Sequence, residues 1–271
     1  RPLQLLVRGV TENADRWASS QPAEGYFARC AIASLDAAAK AQSFLGRVDY
    51  QGGYERKWVW CGLALAHLKL LQAPEYEAEA KARIKAWFAR GFDAMRVPYD
   101  RPPSGSPSTQ LNNHMTWAGL TAMALGLAAE NQEAWAWGLL RLERTLAQVD
   151  PEGFLPQELL RGSKAWHYHI FTMGPLILGA VLARANGIAI ANERFHRLAR
   201  RSFEGYSDTA AFERQTGQRQ DSVSERPSVG WLEIYAGEFG ATEALIPLRG
   251  RRPQHQPWLG GNLTLWHARD V

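Results

Sequence analysis

The sequence predicts an all-α fold of antiparallel helical hairpins. Apolar residues recur at spacings of three and four through nearly the whole chain. Strand-like alternation is absent apart from short apolar runs near the C-terminus. The resulting helices are similar in length and joined by short breaks, so each must turn back on its predecessor. No fixed-period repeat appears, which argues against a regular solenoid. An α/α toroid, an incomplete α/α barrel with hairpins curled round a deep cleft, fits the long helices and loops. A simple bundle is the alternative.

The helices are expected at about 2–19, 23–45, 54–72, 75–97, 112–129, 131–149, 163–185, 190–206 and 230–246. In the third, Trp58, Cys61, Leu65 and Leu68 mark one face. Gly52-Gly53, Pro74, Gly187 and Pro227 punctuate the pattern. Arg101 to Gln110 (RPPSGSPSTQ) and Asp150 to Pro156 (DPEGFLP) read as loops, and Gln218 to Ser228 as a polar, mobile segment. None of these is long or biased enough to divide the chain, so residues 1–271 are expected to form one domain.

With 46% hydrophobic and 21% charged residues among 271, the chain is globular rather than disordered. No apolar run is read as reaching the roughly 18 residues of a membrane span. Net charge is +4, which suits an anionic partner, and eleven tryptophans supply flat apolar rings that match a sugar face. Cys30 and Cys61 lie in successive helical patterns and could be bridged or free.

Two clusters could carry chemistry. Asn112-Asn113-His114 opens a helix after the Pro/Ser-rich loop; one Asn serves as N-cap, and His114 and Trp117 share a face. Arg161, Lys164 and Tyr168 stand at i, i+3 and i+7, flanked by His167 and His169. This is an anion site with a proton donor beside it. Elimination from a uronate needs such groups. The C5 proton lies α to a carboxylate, so donors must neutralise that carboxylate while a base takes the proton and an acid serves the leaving O4. Tyr can serve as either where neighbouring cations favour its phenolate. No HExxH or CxxC spacing is present, and neither metal nor cofactor is expected.

At these residues the sequence resembles the alginate lyases of polysaccharide lyase family five, periplasmic or secreted bacterial enzymes acting on poly-mannuronate. The matching stretches are ERKW at Glu55–Trp58, NNHMTW at Asn112–Trp117, QVDPEGFLPQELLRGSKAWHYH at Gln148–His169, ERFHRLARR from Glu193, FERQTGQRQD from Phe212, GWLEIY from Gly230 and LGGNLT at Leu259–Thr264. The resemblance implies the toroid and its cleft. It implies that Asn113 and Arg161 neutralise the uronate carboxylate and that His114 and Tyr168 are the acid/base pair. Tyr168 would also protonate the leaving oxygen. Mannuronate presents its departing groups syn, for Tyr168; an anti geometry would use His114 as base. Trp117 would stack on a sugar, with Tyr54, Arg56, Lys57 and His167 also binding substrate.

The family carries an N-terminal lid loop that this chain, beginning at Arg1, is expected to lack. Lys164 and Trp166 depart from the family pattern and His167 stands where family members vary, which leaves glucuronan or hyaluronan as alternative substrates. The resemblance further implies a periplasmic or secreted monomer acting on an acidic polysaccharide, without nucleic-acid or membrane partners. Two competing readings are a glycoside hydrolase on an α/α scaffold and a non-catalytic polyanion binder. The hydrolase would need paired carboxylates, for which Asp36, Asp49, Glu55 and Glu158 are candidates, although none belongs to either cluster.

Overall fold

The computed structural model describes residues 2–20, 25–100, 110–222 and 229–268. Within them the helices are α1 (Pro2–Ser19), α2 (Gly25–Lys40), α3 (Tyr50–Leu70), α4 (Ala78–Asp100), α5 (Asn113–Ala129), α6 (Gln132–Ala147), α7 (Pro156–Leu159), α8 (Ala165–Ala185), α9 (Glu193–Glu204), α10 (Ala210–Thr216), α11 (Gly230–Phe239) and α12 (Leu263–His267). Strands β1 (His255–Gln256) and β2 (Gly261–Asn262) pair antiparallel near the C-terminus. Helices α1, α3, α5, α8 and α11 pack on one another in succession as an inner layer, and α2, α4, α6 and α9 lie outside them. This is the α/α toroid.

Burial pattern separates the two layers. Inner helix α5 buries 15 of its 17 residues, so it is apolar on every side. Outer helix α9 buries only Phe195, Leu198, Ala199 and Ser202, a single stripe among charged residues. Glycine allows the tightest contact between layers. A Cβ on Gly138 of α6 would run into the Gly119 carbonyl oxygen and the Met123 amide of α5. Gly162–Ala185 is long and apolar enough to cross a bilayer, contrary to the reading of the sequence, but 67% of its apolar window is buried inside the fold. It contains inner helix α8.

Asp15 fastens the C-terminal segment to α1. Its Oδ1 accepts from Lys69 Nζ at 2.5 Å and Trp266 Nε1 at 2.7 Å, and its Oδ2 accepts from the Asn262 backbone N–H at 2.7 Å. The segment thereby brings Trp258 into the inner face, stacked on Trp58 at 4.7 Å between ring centroids.

Several boundaries differ from the sequence reading for identifiable reasons. Gly52-Gly53 does not precede the third helix but forms its first turn, because Asp49 Oδ1 caps the Gly52 N–H at 2.6 Å. The segment read as 230–246 stops at Gly240, whose φ of 74° ends α11 in a left-handed cap before a 3₁₀ turn at Thr242–Leu248. Helix α7 follows the Asp150 loop directly, with Pro156 at its start. Residues 101–109 of the Pro/Ser-rich loop, and 223–228 with Pro227, lie outside the described residues. Residues 218–222, expected to be mobile, are docked. Gln218 Oε1 accepts from Ser163 N at 3.0 Å and Gln220 Oε1 from Trp166 N at 2.9 Å. Cys30 and Cys61 are free thiols; burial pushes Cys61 up to about 12.

Candidate active site

The N-terminus of α5, the turn after α7 and the first turns of α8 meet at an open cleft of about 470 Å³. It is lined by Gln51, Tyr54, Trp58, Asn112, Asn113, His114, Arg161, His167, Tyr168 and Phe171. Asn112 is the N-cap of α5: its Oδ1 accepts from His114 N at 3.0 Å. That cap fixes the turn from which Asn113 and His114 project.

Asn113 is held from behind. Glu158 Oε1 accepts from both its backbone N–H, at 2.5 Å, and its Nδ2, at 3.1 Å. A carboxylate only accepts, so this bond also fixes which end of the amide is nitrogen. Glu158 is fully buried. Burial raises its pKa above the usual carboxylate value, against the lowering effect of its two bonds from Asn113 and of the Arg161 charge. The sequence reading had set Glu158 apart from both clusters. The structure places it on Asn113, because the turn of α7 folds back under the start of α5.

His114 lies flat against Tyr54, with centroids 3.8 Å apart and planes 8° from parallel. Its Nδ1 is 3.2 Å from Lys57 Nζ. Burial first, then the neighbouring Lys57 and Arg161 side chains, push its pKa down to about 3. The imidazole is therefore neutral at ordinary pH.

Arg161 was expected on the helical face of Tyr168, but helix α8 begins only at Ala165, after a 3₁₀ turn at Gly162–Lys164. The two nevertheless meet: the Arg161 guanidinium carbon sits 3.8 Å from the centre of the Tyr168 ring. His167 is half-buried, and burial lowers its pKa, aided by Lys164 and Arg161. His169 points into the core. Its Nδ1–H donates to Ala165 O and its Nε2 accepts from Leu155 N, both at 2.8 Å, so neither nitrogen is left for chemistry.

Three expected substrate contacts do not line the cleft. Trp117 is 2% exposed and packs against Trp58, Phe171 and Trp258, so it supports the wall. Arg56 donates to the carbonyls of Gly46 and Ala94, bracing the start of α3 against α4. Lys57 is fully buried behind His114. The aromatic wall belongs instead to Trp58 and Phe171, which the sequence reading did not single out for the cleft. The available signal was that Trp58 lies one helical turn beyond Tyr54.

Among the described residues the cleft lining holds no Asp or Glu, and no group of three or more His, Cys, Asp or Glu could hold a metal ion. The arrangement can hold an anion with Arg161 and the Asn113 amide, and can move protons at His114 and Tyr168.

Fold and cleft are those of a polysaccharide lyase of the α/α-toroid class. The chain belongs to the alginate lyase family, which it matches over residues 15–212. It is 34% identical to a polysaccharide lyase of Stenotrophomonas maltophilia (strain K279a), covering 99% of this chain and 83% of that protein. It is 31% identical to an alginate lyase of Azotobacter chroococcum mcd 1, covering 97% and 72%. Alginate lyase A1-III from Sphingomonas species A1 shares the fold, with a TM-score of 0.86 at 23% identity over 99% of this chain and 78% of that one.

Proposed function

We propose that this polysaccharide lyase cleaves alginate at mannuronate residues by metal-independent β-elimination. Asn113 and Arg161 bind the uronate carboxylate and stabilise the charge that moves onto it as the C5–H bond breaks. Tyr168 takes the C5 proton and returns a proton to O4 as the C4–O4 bond breaks, leaving a C4=C5 double bond. His114 serves as base where the departing groups are anti. The relatives' family and a polymeric substrate also favour a periplasmic or secreted monomer.

The observation that carries this reading is the convergence of these four side chains in one cleft with no carboxylate among its described lining residues. A glycosidase would need two carboxylates flanking the bond. Asp36 is instead paired with Arg83 and Lys40, Asp49 caps α3, and Glu158 is buried under Asn113.

Incubating the protein with mannuronate-rich polymer and a chelator tests the reading. An absorbing unsaturated uronate should appear. Tyr168→Phe keeps the ring under Arg161 but removes the hydroxyl. Turnover should fall by about 10²–10⁴-fold, the usual contribution of acid–base catalysis. Retention of more than about a tenth of parental turnover would make Tyr168 a packing residue. Loss to the chelator, with recovery on one divalent ion, would refute metal independence.

A further inference from the structure

Lys57 is a fully buried lysine, and no ion pair to it is formed among the described residues. Its Nζ lies 4.5 Å from the centre of the Tyr54 ring, 4.8 Å from that of Trp58, and 3.2 Å from His114 Nδ1. The elimination chemistry gives it no role, and its burial keeps it from substrate. We propose that Lys57 is a positioning residue for His114: as an uncharged amine it accepts the Nδ1–H and thereby leaves the Nε2 lone pair free to act as the base.

The argument rests on hydrogen-bond valence. An ammonium has three donors and no acceptor, so a charged Lys57 would force Nδ1 to accept and put the ring proton on Nε2. His114 could then donate to a carboxylate but could not take a proton. Taking one would also set an imidazolium N–H against an ammonium. A neutral amine has a lone pair beside its two N–H groups, so it can accept the Nδ1–H and permits the other tautomer. Burying an unpaired ammonium costs several kcal/mol, and the Tyr54 and Trp58 faces return only part of that. Burial accordingly holds Lys57 well below the usual lysine range.

Two other charged groups lie around the pair, and neither supplies it with a counter-charge. Arg161, from the turn after α7, disfavours further positive charge on His114. Glu158, from α7, is committed to Asn113. From α3 and α5 the remaining neighbours are the Tyr54 and Trp58 rings and the neutral Asn112 and Asn113 amides.

The inference rests on the elimination reading and specifies its anti route. The C5–H bond breaks and Nε2–H forms. The electron pair makes the C4=C5 bond as C4–O4 breaks, and O4 takes its proton from the Tyr168 hydroxyl. The imidazolium keeps its Nδ1–H on the Lys57 amine, which shares the charge. His114 and Tyr168 then exchange the proton through solvent.

The test reads the tautomer directly. In ¹⁵N-histidine-labelled protein near pH 7, His114, assigned with His114→Gln, should show a protonated Nδ1 and a bare Nε2. Lys57→Met removes the acceptor, and Lys57→Arg supplies a permanent donor; both should move the proton to Nε2. On guluronate-containing alginate, kcat of both variants should fall by about 10²-fold or more, the usual share of a general base. KM should change by less than about twofold, because substrate contacts remain. A protonated Nε2 in the parent overturns the proposal, as does Lys57→Arg with parental tautomer and turnover. Should no uronate polymer be cleaved, the elimination reading fails, while the labelled spectrum still decides the role of Lys57.

Discussion

Replacing Glu158 tests whether the cleft is held from beneath by a hydrogen-bond acceptor or by a charge. In Glu158→Leu the buried Asn113 backbone N–H and one Nδ2–H lose the acceptor they have among the described residues. Leaving a buried donor unsatisfied costs about 1–3 kcal/mol, so the two together cost roughly 2–6 kcal/mol. The cost is reduced by whatever the parent spends on burying a carboxylate whose Oε2 has no partner among the described residues. At about 2–4 °C per kcal/mol for a domain of this size, Tm should drop by roughly 4–24 °C before that offset. Turnover should fall at least about tenfold, because the amide can then rotate away from the substrate carboxylate. Glu158→Gln keeps an oxygen at the same place and avoids burying a charge. It should stay within about 2 kcal/mol of the parent and retain most of its turnover, since neutral hydrogen bonds are weaker than charged ones by about that amount for a pair. The sign with pH separates the parent from both variants. An acid whose folded pKa is raised binds its proton more tightly when folded, so the parent loses stability as pH rises from the ordinary carboxyl range through the raised value. Glu158→Gln lacks that loss. Thermal scans between pH 4 and 8, with steady-state kinetics on alginate, give both readouts. A Glu158→Leu protein with parental Tm and turnover would refute the argument, as would a Glu158→Gln protein as damaged as Glu158→Leu.

Two further outcomes follow from burial. His67 and His169 are neutral in the core, both pushed down to about 4 chiefly by burial, and His114 is pushed to about 3. Their folded pKa values lie below the unfolded value near 6.5, so denaturant-measured stability should be fully present above about pH 6.5. It should then fall on acidification by up to about 1.4 kcal/mol per pH unit for each histidine, and a flat profile down to pH 4 would contradict the assignment. Gly138→Ala should destabilise by about 1–3 kcal/mol in a thermal scan, because its Cβ meets the backbone of α5 rather than the end of a movable side chain; an unchanged Tm would show that the α5–α6 contact can relax.

The outer helices were legible because their buried stripe follows a 3.6-residue period and the inner ones because they are long and apolar, and the cap of α5 because Asn112 stands where the Pro/Ser-rich loop gives way to apolar sequence. The cleft's lining side chains were partly legible, since Asn113, His114, Arg161, His167 and Tyr168 fall in two short clusters rich in polar groups. Their supports were not. Lys57 reads as a solvated or substrate-facing cation, and only the packing of α3 against α5 buries it. Trp117 reads as a sugar platform because it lies one turn from His114, yet α5 is enclosed on all sides and that turn faces Trp58 and Phe171. Arg161 and Tyr168 were paired through a helix that has not begun at Arg161; the contact comes from a 3₁₀ turn that periodicity cannot distinguish from α-helix at its edge.

The two buried ionisable groups behind the cleft explain why neither is spent on the other. Lys57 and Glu158 have opposite formal charge and reach adjacent residues of α5, His114 and Asn113. Paired with one another, they would satisfy their own valences and leave the amide and imidazole unsupported. Each ends on a cleft side chain instead, and each is carried by a segment that also supplies the cleft surface. Tyr54 stands three residues before Lys57 on α3, and Arg161 three residues after Glu158 at the end of α7. One helical turn thus separates a group facing substrate from the group bracing the next wall. The consequence is mutual: a shift of α3 that moves Tyr54 also moves the Lys57–His114 bond, and a shift of α7 that moves Arg161 also moves Asn113. Orientation of Asn113, His114 and Arg161 is therefore set by the register of α3 and the α7 turn against the first turn of α5, not by any one of the three alone.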